Sequence, residues 1–211
     1  MSFQTIFEQQ TAMMVNNRRV VGQQVSRGGQ IRTAQYLNSV PWVFTVTPNN
    51  FLYYPTARSI IQTIDNLDRQ LSETINFSSS RLSWFVSYQG AASTTPTTMT
   101  LASAPATNAT TLSITNVPAA TGNIFLAGDF IMVGGYTYKV TANVVRAATI
   151  SVPIHRPVIG SPASGAAVAC GVNCTFAVYA ESCPTYTLNP MTNGAFVEWS
   201  GPFVFREAVA P

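Results

Sequence analysis

The chain has 211 residues, of which 46% are hydrophobic and only 9% are charged, and its net charge is +3. The hydrophobic content is ample for a core, but the charged fraction lies far below the roughly 25% of ordinary soluble domains. Because a monomer with so little charge is poorly protected against self-association, the composition favours a surface partly buried in an assembly. A polar surface of Ser, Thr, Asn and Gln is the alternative explanation for much of the deficit. No basic run exceeds Arg18-Arg19, which argues against a dedicated reader of nucleic-acid sequence.

The first 20 residues are predicted to form an arm with neither a secretory signal nor a membrane span. Residues 1–10 are polar with isolated Phe3, Ile6 and Phe7, and no apolar run of the chain reaches 18 residues. Two readings of the arm stay open. Either it covers its own domain in an extended form, or it is ordered only against a neighbouring subunit.

The stretch from Val40 to Leu71 is predicted to form a strand, a turn and a helix. Large apolar residues alternate at positions 40, 42, 44 and 46, which is typical of a strand with one buried face. The helix is expected at about residues 56–72, because Pro55 is tolerated only in a first turn and an apolar stripe follows it. This stripe consists of Ile60, Ile64, Leu67 and Leu71. We expect it to be the single helix of the chain, packed against the sheets.

The rest of the chain reads as short strands. Alternation at Leu82, Trp84, Val86 and Tyr88 predicts a strand over 81–88, and Gly134-Gly135 between two alternating runs predicts a hairpin over 129–140. The Ala/Thr-rich stretch 89–122 carries apolar residues two or three apart, which favours strands over a linker. Further strands are predicted at 148–154, 175–180 and 195–207.

Two domains are predicted from this order of elements. The aromatic strands at both ends of the chain resemble each other more than they resemble the Ala/Thr-rich middle. Residues 1–88 and 185–211 are therefore predicted to form one β domain, and residues 89–184 an inserted small β-barrel or sandwich. The fold class is mainly β (α+β).

The sequence shows no recognisable catalytic motif, and we predict no catalytic, cofactor-binding or metal-binding residues. His155 is the only histidine and lacks a nucleophile motif around it, so a structural or surface role is expected. Cys170, Cys174 and Cys183 are an odd set, and the Cys-x-x-x-Cys spacing of the first two is a weak zinc pattern because no histidine lies nearby. One disulfide with a remaining thiol and three reduced thiols are both open. Ser26-Arg27-Gly28-Gly29 lacks a phosphate-loop motif and is interpreted as a strand kink.

The arrangement of residues resembles the tail-tube-like proteins of tailed bacteriophages, especially tube initiators and distal tail (hub) proteins of the baseplate. The resemblance is carried by the Arg27–Arg32 segment, the strand with Trp42, the helix, the Trp84 segment and the terminal run 197–207. Segments of the middle region also look like the small β insertion of some phage structural proteins; they are Gly128–Ile131, Tyr136–Val140 and Ile150–Ile154.

The resemblance implies a tail-tube-like β-sandwich with one flanking helix, whose sheets join those of neighbouring copies into a ring, usually a hexamer. It implies a structural, non-enzymatic virion protein of the tail or baseplate, made in the cytoplasm of the bacterial host. The implied partners are further copies and other tail and baseplate proteins, with genomic DNA passing only transiently through a lumen, and no membrane. Such a ring would account for the low charge and for the arm.

A binding module is the alternative function. In that reading the inserted β domain recognises a carbohydrate or a host surface, with Tyr136, Tyr138 and Tyr179 as stacking groups. Aromatic residues in strands are more often core or cross-strand partners.

Overall fold

A computed structural model of the chain describes residues 3–18, 21–35, 40–50, 52–67, 70–91, 98–119, 121–191 and 194–209. The protein is mainly β, with two α-helices among these residues. The elements in chain order are α1 Phe3–Glu8, β1 Gln10–Asn16, β2 Val21–Val25, β3 Ile31–Gln35, β4 Val43–Pro48, β5 Leu52–Tyr53, α2 Tyr54–Leu67, β6 Glu73–Asn76, β7 Thr100–Leu101, β8 Thr111–Thr115, β9 Asn123–Phe125, β10 Phe130–Val133, β11 Tyr136–Lys139, β12 Val144–Val145, β13 Thr149–Pro153, β14 Ala169–Cys170, β15 Thr175–Ser182, β16 Tyr186–Met191, β17 Gly194–Trp199 and β18 Phe203–Glu207.

The chain divides into two compact units. Unit 1 comprises residues 1–16, 42–87 and 172–211, and unit 2 comprises residues 17–41 and 88–171. The division expected from the sequence differs from this one mainly in two stretches: it put 17–41 with the terminal segments and 172–184 with the insertion. Its boundary before the insertion also lay after residue 88 instead of residue 87. The reason is visible in the pairing, because β15 forms hydrogen bonds with β18 and β6, which both belong to unit 1.

Unit 1 is built on a five-stranded antiparallel sheet in the order β1-β4-β18-β15-β6. Alternate residues of β4 point into the core, so that Phe44 and Val46 are buried, as the sequence predicted. Trp42 just before the strand is buried as well. The core is rich in aromatic edge-to-face contacts, with Phe44 lying 5.3 Å from Phe176 and 5.6 Å from Phe7 between ring centroids.

The described part of the first 20 residues covers its own unit, as one of the two readings had it, but it is not extended throughout. Residues 3–8 form the helix α1, and β1 adds to the edge of the sheet by pairing with β4. Phe3, Ile6 and Phe7 are fully buried in unit 1. The sequence missed this helix because six residues are too few to show a periodic pattern, and because its stability comes from burial against distant residues such as Phe205.

The predicted central helix exists, but its apolar stripe is shorter than expected. Helix α2 covers Tyr54–Leu67, and Ala57 and Ile60 are its buried residues. Residues 68 and 69 lie outside the described part. Leu71 was expected on the buried stripe, yet it lies beyond the helix and is exposed, since the chain is already turning towards β6.

The strand predicted over residues 81–88 is absent, and the chain forms turns there. The backbone N–H groups of Leu82 and Ser83 both donate to the Ser79 oxygen, at 2.9 and 2.8 Å. Leu82 and Val86 are buried, whereas Trp84 between them is exposed. Two buried residues four apart fit a helical turn as well as they fit every second residue of a strand, and this ambiguity misled the prediction.

Unit 2 has its own apolar core, built from short strands. The hairpin predicted around Gly134-Gly135 is confirmed: β10 pairs with β11, and both glycines have positive φ values of 61° and 83°. The short Thr-rich strands and the strand over Thr149–Pro153 are confirmed too. The aliphatic residues that predicted them are all buried in one cluster, namely Met99, Leu101, Leu112, Ile114 and Val117.

Two buried polar side chains hold the loops of unit 2. Asp129 is fully buried and accepts the backbone N–H groups of Gln89 and Leu126, each at 2.8 Å. Arg156 is 1% exposed; its guanidinium donates to the carbonyls of Val40 and Thr137, each at 2.9 Å. Because these backbone groups would otherwise lose water on folding, both side chains stabilise the loop geometry around the core.

Candidate interaction surfaces

The structure places His155 in a structural contact, as expected. Its Nδ1 accepts the backbone N–H of Lys139 at 3.0 Å, just after strand β13. An Nδ1 that accepts a hydrogen bond leaves the ring hydrogen on Nε2 in the neutral form. No group of three or more His, Cys, Asp or Glu side chains that could hold a metal ion occurs among the described residues.

The three tyrosines considered for ligand stacking belong to two units, with Tyr136 and Tyr138 in unit 2 and Tyr179 in unit 1. Tyr138 is fully buried in unit 2, where its hydroxyl accepts the Ile159 N–H at 2.9 Å and the Arg156 guanidinium lies 5.3 Å from the ring centroid. Tyr136 is half-buried in the same unit, whereas Tyr179 lies on β15 in the sheet of unit 1. Tyr138 therefore acts as a core residue with a satisfied hydroxyl.

The cysteines are mainly buried. Cys170 and Cys174 are buried and Cys183 is half-buried. Burial, with the charge of Asp129 as a smaller cause, raises the pKa of the Cys170 thiol to about 12. Burial likewise raises the pKa of Tyr88 to about 12, with Cys170 and Asp129 adding to it. The Tyr88 hydroxyl donates to the carbonyl of Ile124. These groups remain protonated near neutral pH and serve packing rather than nucleophilic chemistry.

The first exposed feature is a two-stranded hairpin formed by β2 and β3. Val25 pairs directly with Ile31, and a turn closed by Ser26 N–H to the Gln30 oxygen (2.8 Å) joins the strands. The Gly28-Gly29 pair is thus part of a hairpin turn rather than a strand kink, and Gly29 has a φ of 78°. Val25 and Ile31 are 65% and 64% exposed.

No third strand joins this hairpin among the residues that the structure describes. A lone two-stranded hairpin is marginally stable in water, and the exposure of an aliphatic pair to solvent is a further unfavourable contribution to its free energy. Arg27 and Arg32 flank the apolar pair and are exposed. The signal for this element was present in the sequence, as two short runs around Gly-Gly between Val25 and Ile31.

The second feature is an apolar groove in unit 1, with a volume of about 350 Å³. Ile61 and Ile64 of α2 form one wall, and Tyr186 and Trp199 of the β16–β17 pair form the other, with the two rings 5.7 Å apart. Asp65 also lines the groove and is exposed. Trp199 is 5% exposed, and its indole N–H has no acceptor among the described residues.

The third feature is an open groove of about 670 Å³ in unit 2, lined by basic and polar side chains. Arg18, Lys139 and His155 come from three separate segments of the chain, and Asn17 and Thr141 lie beside them. No carboxylate occurs among the described residues that line this groove.

The basic groove lies in the more positively charged of the two units, which differ strongly in net charge. Unit 2 contains seven Lys or Arg residues and one carboxylate, which gives a net charge of +6. Unit 1 contains four basic and seven acidic residues, which gives −3. The single carboxylate of unit 2 is Asp129, and it is buried. Four of the seven basic residues of unit 2 lie in 17–41, so the segregation of charge appears only once that segment is assigned to unit 2.

No helix among the described residues is long and apolar enough to cross a membrane. Comparison with models of known protein families and with curated proteins finds no match.

Proposed function

We propose that this protein is a non-catalytic structural subunit of a bacteriophage tail or baseplate. In this proposal it forms a ring of six copies that initiates or continues the tail tube and contacts neighbouring baseplate proteins in the virion. Unit 1 corresponds to the tail-tube-like sandwich and unit 2 to the inserted β domain. The resemblance in sequence and the low charged fraction support the proposal.

The observation that carries the proposal is the β2–β3 hairpin. It presents Val25 and Ile31 to solvent on two strands that pair only with each other among the described residues. Burying two such side chains stabilises a structure by roughly 3–6 kcal/mol, at about 1.5–3 kcal/mol each. The two-stranded hairpin lacks this stabilisation as long as the pair is exposed. A partner surface that covers this pair would explain why the sequence leaves it apolar.

The apolar groove of unit 1 on a second copy is a suitable receptor for the hairpin. Its volume of about 350 Å³ is large enough for two aliphatic side chains, and its walls are Ile61, Ile64 and two aromatic rings. Asp65 at the groove complements the arginines that flank the hairpin pair. A contact between different surfaces of successive copies is heterologous, and such contacts generate rings when the rotation closes.

The edge of the unit 1 sheet offers a further contact to a neighbouring copy. Strand β1 pairs with β4 on one side and ends the sheet on the other. An edge strand is a template for pairing with another chain unless it is covered. By contrast, the binding-module alternative loses support, because Tyr138 is a buried core residue and Tyr179 lies in the other unit.

The test is the mass of the purified full chain in solution by light scattering, followed by negative-stain imaging of any assembly. We expect rings, either alone or on mixing with tail partners, and a loss of assembly in Ile31→Asp. Val145→Asp is the matched control, because Val145 is equally exposed in unit 2 but lies outside the hairpin. A wild-type monomer that never assembles, at high concentration and with partners present, would overturn the proposal.

A further inference from the structure

We propose that unit 2 binds the phosphate backbone of double-stranded DNA, without regard to base sequence, through the groove of Arg18, Lys139 and His155. This inference goes beyond the ring proposal and does not depend on it. It begins from the segregation of charge: unit 2 has a net charge of +6, and its one carboxylate is buried. A surface with charges of one sign attracts polyanions and concentrates them at its clefts.

The groove collects donors suited to phosphate oxygens. Arg18 and Lys139 are exposed, and Lys139 stands at the end of β11, where its backbone N–H is fixed by His155. The Asn17 amide and the Thr141 hydroxyl supply neutral donors at the same place. Charged guanidinium and ammonium groups, supported by amides and hydroxyls, make most protein contacts to the DNA backbone.

The absence of carboxylates from the groove matters as much as the cations. Asp129 follows Gly128 of the groove in sequence, but it is buried and already accepts two backbone N–H groups. The Asp129 carboxylate is therefore engaged with the backbone at Gln89 and Leu126 rather than with a ligand. Among the residues that the structure describes, Arg18 and Lys139 line the groove and no acidic side chain does.

The lining also discriminates among polyanions. Single-stranded nucleic acid is bound by aromatic platforms on which bases stack, and no Phe, Tyr or Trp is found among the described residues that line the groove. Membrane surfaces need large apolar side chains that insert beside the cations, and the apolar lining residues in the described part of the chain are Ala127 and Val140. A duplex needs neither, because its bases are stacked inside and its phosphates are exposed.

Binding to the DNA backbone requires no motif that reads base sequence. The cationic side chains of the groove come from positions 18 and 139, which are far apart in the chain. Backbone contacts carry no sequence information, and the binding is expected to be sequence-independent and strongly dependent on salt.

The experiment is fluorescence anisotropy of the full chain with a labelled 20-base-pair duplex of mixed sequence, from 50 to 200 mM salt. We expect binding at 50 mM salt, with an affinity that falls as salt rises. Arg18→Gln and Lys139→Gln should each weaken binding roughly tenfold at 50 mM salt and reduce the slope of log affinity against log salt by about 0.9. Arg58→Gln is the matched control, since it removes one exposed positive charge from unit 1.

Several results would overturn the inference. These are no binding at 50 mM salt, equal effects of Lys139→Gln and Arg58→Gln, or tighter binding of a single strand of the same length. Equal binding of poly-glutamate would identify an acidic protein surface as the partner instead. Binding to anionic phosphatidylglycerol vesicles that Lys139→Gln abolishes, without binding to the duplex, would identify a lipid phosphate. Light scattering of the same variants separates this test from ring assembly, because neither substitution touches the hairpin.

Discussion

The side chain of Gln4 pairs with the backbone of Asn76 through two hydrogen bonds. The Gln4 amide nitrogen donates to the Asn76 oxygen at 3.0 Å, and the Asn76 N–H donates to Gln4 Oε1 at 2.9 Å. Asn76 belongs to β6, the strand at one end of the five-stranded sheet. The amide of α1 thus imitates a further strand and covers one edge of the sheet, which reduces unwanted edge pairing there.

We expect Gln4→Ala to lower the free energy of unfolding by about 1–3 kcal/mol, because two backbone groups of a nearly buried contact lose their partners. Urea unfolding followed by circular dichroism measures this. Gln62→Ala is the control, since Gln62 is exposed on α2 and its removal should change stability by less than about 0.5 kcal/mol. Equal effects of the two substitutions would show that the Gln4 bonds contribute nothing to stability.

Substitutions in the 81–88 turns distinguish them from a strand. Leu82→Ala should destabilise unit 1 by about 2–5 kcal/mol, because Leu82 is fully buried. Trp84→Ala should cost less than about 1 kcal/mol, since Trp84 is 66% exposed and its indole donates one hydrogen bond, to the Arg81 oxygen. Thermal unfolding of both variants gives the comparison. Equally large losses would favour a strand in which both residues face the core.

The predictable parts of the fold are those decided by local pattern. The strand Val43–Pro48 follows from period-two alternation, and the hairpin at Gly134-Gly135 follows from turn chemistry. Both signals lie within a few residues of the chain, so no knowledge of tertiary partners was needed. Helix α2 was found in the same way, from its apolar stripe.

The parts that escaped prediction depend on residues far apart in the sequence. Helix α1 is held by contacts of Phe3 and Phe7 with Phe205, about 200 positions away. The basic groove combines positions 18, 139 and 155. Local patterns carry no information about such long-range contacts, because a short apolar or basic segment is compatible with many partners.

The Gly134-Gly135 turn between β10 and β11 should tolerate only residues that accept a left-handed backbone. Gly135 has a φ of 83° and open space where a Cβ would lie. Gly135→Val should therefore cost more than about 1–2 kcal/mol through backbone strain alone, whereas Gly135→Asn should cost much less. The midpoint of urea unfolding reports the difference.

Gly201 supplies the control for this comparison. It also has open space around a built Cβ, but its φ is not positive. Gly201→Ala is expected to leave stability within about 0.5 kcal/mol of wild type, or to raise it slightly by restricting the unfolded chain. If Gly135→Val and Gly135→Asn behaved alike, strain at this position would not be the cause of any loss.

Stability should fall at alkaline pH because of Cys170. Folding raises the pKa of this thiol from 9.0 to about 12, mainly through burial. A group with a raised pKa contributes stability that is fully present below its unfolded pKa and is lost as the pH rises towards the folded value. The free energy of unfolding should therefore decline from about pH 9, by up to about 1.4 kcal/mol per pH unit and about 4 kcal/mol in total.

Urea unfolding of wild type and Cys170→Ala at pH 8, 9, 10 and 11 tests this. The variant should be less stable at pH 8, because it leaves a small cavity, but its stability should decline less between pH 9 and 11. A decline that remains in the variant above pH 10 is expected from Tyr88, whose pKa is also raised to about 12. Labelling gives an independent measure: at pH 8.5 the thiolate fraction of Cys170 is about three in ten thousand instead of about a quarter, so iodoacetamide should modify it only after unfolding. Rapid modification in the folded protein, or parallel pH profiles of the two proteins, would contradict a buried thiol with a raised pKa.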